Sequence, residues 1–360
     1  MVEQAVQTES DSPLPASSDI DWTTPPPLID VRSPAEFAEG HIPGARNVPL
    51  FSDEERATVG TLYKKKGRKA ALDKGLEFVG PKLAFLVKEI RQHGGCQPLI
   101  YCWRGGMRSG SVCSLMQIAG LPCRRLDGGY KAYRRHIRTF FTKPAPLLVV
   151  GGYTGSGKTL LLHRLAQQGL QVIDLEGLAH HKGSVFGHIN EQQQPSNEQF
   201  ENNLFAAMQG LVPQRFILVE NESRVIGKIH LPEPFYEQLR SAPLISLEVP
   251  QEARISRLVA DYATTDKEEL LAATRSILKK LGRENLRRVE EHIVADNYGA
   301  ACAILLGYYD VYYDRGVSKR NKEAIYPLAI SGTNLEADVG LIKEKIASLA
   351  IASRQEACHA

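Results

Sequence analysis

Two short segments hold residues whose types and spacing could do chemistry. In the first, Cys102 sits in YCWRGGMRSGS, with two glycines and two arginines (Arg104 and Arg108) within the next six positions. The apolar run QPLIY leads into it and a run of small and apolar residues follows, so the cysteine falls on a strand-to-helix turn. At such a turn several backbone N–H groups point at one spot, and the helix N-terminus adds partial positive charge. Both favour the thiolate, the nucleophilic form. The resulting cup suits a persulfide, a selenosulfide or a phosphate-like anion. A buried cysteine closing a core strand is the ordinary alternative, and the Gly-Gly pair with two arginines argues against it. Cys96, Cys113, Cys123, Cys302 and Cys358 lack such surroundings. They form no CxxC pair and no disulfide framework, so a reducing compartment suits the chain.

The second segment is Gly152-Tyr153-Thr154-Gly155-Ser156-Gly157-Lys158-Thr159, which fits GxxxxGK followed by Ser or Thr. It lies between the apolar run LLVVGG and the amphipathic run LLLHRLAQQG, the strand–loop–helix setting a P-loop needs. Its glycines let backbone N–H groups wrap a diphosphate, Lys158 reaches the terminal oxygens, and Thr159 can ligate Mg²⁺. The pattern argues strongly for phosphate binding and weakly for nucleotide hydrolysis. Asp174 and Glu220, each after an apolar strand, are candidates for a Mg²⁺-side or base carboxylate, and each could equally cap a helix. Arg254 and Arg257, three apart on a helix, stand where nucleotide kinases clamp phosphates. A solvated face with Asp261 pairing Arg257 explains them nearly as well. The run HHKGSVFG (180–187) is a candidate substrate loop without a metal-ligand set.

Positioning two such loops takes two α/β units. The first runs from a strand at Leu28–Val31 through a helix near Pro34–Ala38 and a strand near Asn47–Leu50. A helix over about Gly80–His93 then leads to the strand before Cys102. The second has strands at LLVVGG, QVIDL, RFILVE and LISLEV, then a charged helical stretch from Asp266 to about Val294. IYPLAISG is a late strand and Leu335–Ser353 a last helix. Strands alternating with helices predict a doubly wound parallel sheet. The expected layout is a disordered tail over 1–19, a first domain over 20–140, a linker over 141–146, a P-loop domain over 147–353 and a tail over 354–360. No internal repeat is present.

Hydrophobic residues make up 43% and charged residues 24% of the 360 residues, as in a soluble globular protein. No apolar run is long enough to span a bilayer. The acidic, polar N-terminus is no signal peptide, so a cytoplasmic location is expected. The net charge of +3 decides little, but its distribution is uneven. Basic clusters fall at Lys64–Lys69, at Arg124–Lys143, and at Arg275, Lys279, Lys280, Arg283, Arg287 and Arg288. The second carries Tyr130, Tyr133, Phe140 and Phe141, and GYYDVYYDRGVSKR sets four tyrosines beside Arg315, Lys319 and Arg320. A solvated helix face explains each alone; together they favour RNA, whose phosphates and unstacked bases want cations and aromatic faces.

DVRSPAEFAEGHIPGARNVP, YCWRGGMRSGS and LDGGYKAY resemble a rhodanese domain. The resemblance makes Asp30, Arg32 and Glu36 framework residues and Cys102 the chalcogen carrier. The commonest rhodanese loop has its arginine five positions after the cysteine; here Arg108 is six positions after it. That C-x5-R length encloses a larger anion, and it keeps open a phosphatase fused to a small-molecule kinase. Such phosphatases usually carry His before the cysteine, where this chain has Tyr101. The pairing of this domain with GGYTGSGKT and LEGLAHHKGS is similar to the bacterial tRNA 2-selenouridine synthases. That resemblance implies tRNA with 2-thiouridine at the wobble position as substrate, and selenophosphate and geranyl diphosphate as co-substrates. It also implies an S-geranyl intermediate, with selenium carried on Cys102 as a selanylcysteine. Neither a membrane nor an obligatory protein partner is expected. Assigning geranyl diphosphate to the P-loop is our own reading, because alkylation makes the thiocarbonyl sulfur a better leaving group. A non-catalytic RNA-binding protein is a third reading, against which Cys102 and the intact P-loop argue.

Overall fold

Short apolar runs become parallel strands covered on both faces, the arrangement that parallel sheets require. The computed structural model describes residues 15–16, 18–184, 186–189, 191–262 and 265–359, the last eight by backbone alone. The chain divides into two units, Met1–Phe140 and Phe141–Ala360.

The first unit runs β1 (Leu28–Asp30), α1 (Pro34–Glu39), β2 (Arg46–Asn47), α2 (Asp53–Val79), α3 (Leu83–His93), β3 (Leu99–Tyr101), α4 (Met107–Ile118), β4 (Arg124–Arg125) and α5 (Gly129–Phe141). Its four strands pair in parallel in the order β2-β1-β3-β4. Ile29, Val31, Leu86, Ile90, Ile100, Val112 and Met116 form the core on either side. Sequence periodicity names no element between 51 and 79, yet α2 fills that stretch. It buries only Ala71 and Gly75, so no apolar face announces it. Its start is local: Ser52 accepts from the Glu55 amide at 3.2 Å, and the Glu55 carboxylate accepts from the Ser52 amide at 2.8 Å. Gly67, with φ 84°, breaks the helix in the middle of the basic run.

Asp30 and Arg32, the expected framework pair, are 1% exposed or less and joined at 2.6 Å. The Arg32 guanidinium also donates to the Gly40 carbonyl at 2.6 Å and lies 3.9 Å from the centre of the Tyr130 ring. Removing one member of a buried pair strands the other charge, which costs roughly 3–5 kcal/mol. Arg32→Ala is therefore expected to lose about that much stability in a denaturant titration. A loss under about 1 kcal/mol would show that the pair is a surface-like contact. Most of the expected N-terminal tail lies outside the described residues, but the Pro15 carbonyl accepts from the Asp127 amide at 3.0 Å. At least this part of the tail is fixed.

The second unit begins β5 (Leu147–Gly152), α6 (Lys158–Gln167), β6 (Gln171–Ile173), α7 (Leu175–Ala179), α8 (Asn197–Met208) and β7 (Ile217–Glu220). It continues β8 (Val225–Ile226), β9 (Ile229–His230), α9 (Glu233–Ser241), β10 (Leu244–Glu248), α10 (Gln251–Tyr262), α11 (Lys267–Ser276) and α12 (Leu278–Leu281). It closes with α13 (Arg283–Val294), α14 (Tyr298–Val317), β11 (Ile325–Ala329) and α15 (Leu335–His359). Five parallel strands lie in the order β11-β10-β5-β7-β6, as a doubly wound sheet predicts, and β8-β9 is a small antiparallel hairpin. The central strand β5 is buried throughout. Helices α11 to α14 form a separate layer with its own core, including Leu270, Ile293, Ala301 and Leu305.

The expected linker 141–146 falls between the end of α5 and the start of β5. There the Gln238 side chain bonds the Phe141 carbonyl at 2.9 Å and the Ala145 amide at 2.8 Å. The last helix continues past Ser353 to His359, where a tail is expected from 354 on. The strand QVIDL stops at Ile173, because Asp174 turns the chain into α7. Among the described residues no helix is long and apolar enough to cross a membrane.

Candidate active site

Cys102 follows β3 and is 3% exposed. Its loop is held from beneath by the LDGGYKAY stretch: Tyr130 and Lys131 donate their amides to the carbonyls of Cys102 and Trp103, each at 2.9 Å. Gly129 makes this approach possible, since a Cβ there would lie 2.3 Å from the Cys102 carbonyl oxygen. The Ser109 hydroxyl sits 3.3 Å from the sulfur. Burial pushes the thiol pKa up, but the Ser109 hydroxyl and amide, the Arg108 charge and the Arg104 amide together bring it below its ordinary value. The site is thus built to hold a thiolate.

The arginines act otherwise than their spacing suggests. Arg108 is paired with Glu36, at 2.5 and 3.3 Å, so it acts on the sulfur by charge at a distance. Glu36 also lies 3.5 Å from Arg56 and accepts from the Ser33 amide, which explains why burial fails to raise its pKa and these partners lower it. The Arg104 side chain is exposed, and its contribution to the sulfur is its backbone amide. Ser109 is the group that spacing misses. A small polar residue in the first turn of α4, seven positions after the cysteine, is the one signal that points to it.

In the second unit the P-loop wraps from β5 into α6. Gly157, with φ 78°, carries the turn, and a Cβ there would strike the Arg257 guanidinium at 2.5 Å. Lys158 donates to the Gly152 carbonyl at 3.0 Å, holding its ammonium at the loop. The Ser156 hydroxyl is buried with no hydrogen-bond partner among the described residues, a donor left over for a ligand oxygen. Arg254 is a strut: it donates to the Thr154 carbonyl at 2.9 Å and grips Asp310 of α14 with both terminal nitrogens, at 2.9 and 2.6 Å. Arg257 likewise bonds the carbonyls of Gly155 and Gly332, at 2.7 and 2.5 Å, although it also lines the cavity described next. Both arginines brace the P-loop, and neither is paired with Asp261 as its sequence neighbourhood suggests.

The two carboxylates named from sequence also resolve. Asp174 caps α7 by accepting from the Gly177 amide at 2.7 Å, and it meets His163 at 2.6 Å. Glu220 is sealed beneath α7, where it accepts from the Leu175 amide at 2.9 Å. Burial, and then the Asp174 charge, push its pKa well above the usual carboxylate range. The carboxylates that face the P-loop lie two positions further along, at Glu176 and Glu222. Thr159, the expected Mg²⁺ ligand, donates its hydroxyl to Glu176 at 2.9 Å. Glu222 is bonded to Glu176, and its pKa is pushed up to about 8, by burial first and then by Glu176, against the pull of Lys158. An unfolded glutamate ionises near 4.5, so Glu222 makes the folded state lose stability as pH rises from about 4.5 to about 8.

These groups open onto a cavity of about 790 Å³. One end is the P-loop with Lys158 and Thr159. The other is apolar, with Leu270, Ile293, Ala301, Leu305 and Leu306 in its wall. Tyr309, Tyr312 and Tyr313 belong to this wall too, so the tyrosine-rich run expected to stack bases faces the cavity instead. Lys182, Gly183 and Ser184 of the HKGS loop close one side. Other parts of the expected RNA surface also change. Tyr130, Tyr133, Phe141 and Arg320 are buried, and Arg275 and Arg287 are paired with Glu290 and Glu291. Lys64, Lys65, Lys66, Arg68 and Lys69 on α2 remain exposed.

Comparison with known families matches both units. Residues 16–136 fit the rhodanese-like domain, and residues 145–332 fit the domain described as the tRNA 2-selenouridine synthase AAA domain. Proteins named tRNA 2-selenouridine synthase are similar in sequence. One from Serratia proteamaculans is 34% identical over 340 residues, covering 83% of this chain and 89% of its own length. One from Nitrosomonas europaea is 39% identical over 250 residues, covering 66% of this chain. The match spans 64% of that relative's length. One from Shewanella frigidimarina is 41% identical over 247 residues, covering 66% of this chain and 65% of its own length. With a cysteine cup in a rhodanese fold and a P-loop unit matched over half the chain, this protein belongs to the tRNA 2-selenouridine synthase family.

Proposed function

We propose that this chain replaces the sulfur of wobble 2-thiouridine in tRNA with selenium, by way of an S-geranyl intermediate. The observation that carries the reading is the two-ended cavity. A diphosphate fits the P-loop end, and a branched ten-carbon tail fits the apolar end, where burial contributes about 0.8 kcal/mol per methylene. A nucleoside triphosphate would put a polar base and ribose against Leu305 and Leu306. Alkylation turns a doubly bonded sulfur into a thioether-like leaving group. Selenium from selenophosphate then forms the C2–Se bond as C2–S breaks, geranylthiolate leaves with that electron pair and takes up a proton, and water cleaves the P–Se bond to release phosphate. Cys102, whose thiol pKa lies below its ordinary value, is the residue assigned to carry selenium in this scheme. Incubating the protein with thiolated tRNA, geranyl diphosphate and selenophosphate tests the reading. Mass spectrometry of the nucleosides should show the S-geranyl form first and 2-selenouridine after it. Turnover of ATP or phosphoesters without tRNA, and no change in the nucleosides, would favour the phosphatase–kinase alternative instead.

A further inference from the structure

Geranyl transfer releases one proton that needs an acceptor. In 2-thiouridine, N3 carries a hydrogen and C2 a doubly bonded sulfur. As the sulfur attacks the first carbon of geranyl diphosphate, the S–C bond forms and the C–O bond breaks. Diphosphate leaves with that electron pair. The N3–H pair becomes the N3=C2 double bond, and the N3 proton passes to a base.

Four carboxylates follow β6 and β7, and two of them are committed away from the P-loop. Asp174 caps α7, Glu220 is sealed beneath it, and Glu176 holds the Thr159 hydroxyl. Glu222 is half-buried in the cavity wall, on the stretch just after β7. Gly183 of the HKGS loop sits against both remaining carboxyls: a Cβ there would lie 2.7 Å from Glu176 and 3.0 Å from Glu222. There Glu222 is bonded to Glu176, and the missing side chain at 183 leaves room for the pair in the cavity wall. Resting on the geranyl-transfer reading, we propose that Glu222 is the base that takes the N3 proton of 2-thiouridine.

The surroundings suit that task. A proton taken up by Glu222 is shared with the neighbouring Glu176 carboxyl through their hydrogen bond. Burial first and then Glu176 push the Glu222 pKa up to about 8 against the pull of Lys158, near the pH at which a base is most effective. Asp174, Lys182, Glu191, Arg257, Asp261 and the titratable His163 also line this cavity.

The test uses the full chain with a 2-thiouridine anticodon stem-loop and geranyl diphosphate, following the S-geranyl nucleoside from about pH 6 to about pH 9. Glu222→Gln keeps the shape and cannot accept the proton. It should slow transfer by on the order of 10²-fold or more and flatten the rise of rate with pH. Geranyl diphosphate should bind it as it binds the wild type by calorimetry. A stem-loop carrying 5-bromo-2-thiouridine, whose N3–H is more acidic, should recover part of the lost rate, because it needs the base less. Three results overturn the proposal: wild-type transfer by Glu222→Gln, an equal deficit on both nucleosides, or a deficit cured by added Mg²⁺. In those cases wild-type turnover leaves the geranyl-transfer reading standing. A wild-type protein that makes no S-geranyl nucleoside sinks that reading and this inference together.

Discussion

Cys102→Ala is expected to stop selenium incorporation, by on the order of 10³-fold or more, while geranylation continues and the S-geranyl nucleoside accumulates. The structure supplies the reason for so large an effect. The sulfur is 3% exposed, and against that burial the Ser109 hydroxyl at 3.3 Å and the Arg108 charge favour the anion. Alanine offers no atom to carry selenium. Cys102→Ser should fail similarly, because a hydroxyl at its ordinary pKa stays protonated even in this cup. Cys102 belongs to the first unit and the P-loop to the second, so the first step should proceed. Chromatography of nucleosides with and without selenophosphate reads both steps at once. Wild-type amounts of 2-selenouridine from either variant would remove Cys102 from the mechanism.

Lys158→Ala should give the opposite pattern. It should lose geranylation by about 10²–10³-fold, the usual effect of deleting one preorganised donor from developing negative charge. Lys158 is the point charge opposite the departing diphosphate, and in the structure it is held by a single bond to the Gly152 carbonyl. Its loss should leave the fold intact, since Arg254 and Arg257 brace the loop from behind. A thermal melt close to that of the wild type would separate this effect from unfolding. Thiolated tRNA should still bind if the exposed lysines of α2 supply the contact. Geranylation at the normal rate would mean that the P-loop holds something else, a nucleotide or the tRNA backbone. Loss of both steps in both variants would show that the two loops cannot be assigned separate tasks.

The sequence alone determined the two loops and the strands that lead into them. Cys102 and Lys158 could be named because their motifs are contiguous: a strand, a glycine turn and a helix start are all written within a dozen residues. The wholly apolar run at Leu147–Val150 could only be a buried strand for the same reason. What the tertiary structure decided lies in pairings between distant residues. Arg108 meets Glu36 seventy-two positions away, and Arg254 meets Asp310 fifty-six positions away, so their spacing from the loops says nothing of their roles. Glu176 and Glu222 replaced Asp174 and Glu220 because one turn of chain after a strand end decides which carboxylate faces in and which is sealed. Helix α2 was invisible because it buries too little to show a period. The tyrosines of α14 looked like base-stacking groups until the packing of α11 to α14 turned several of them into a cavity. Local chemistry set the two anion cups, and long-range packing set what besides an anion the second can hold.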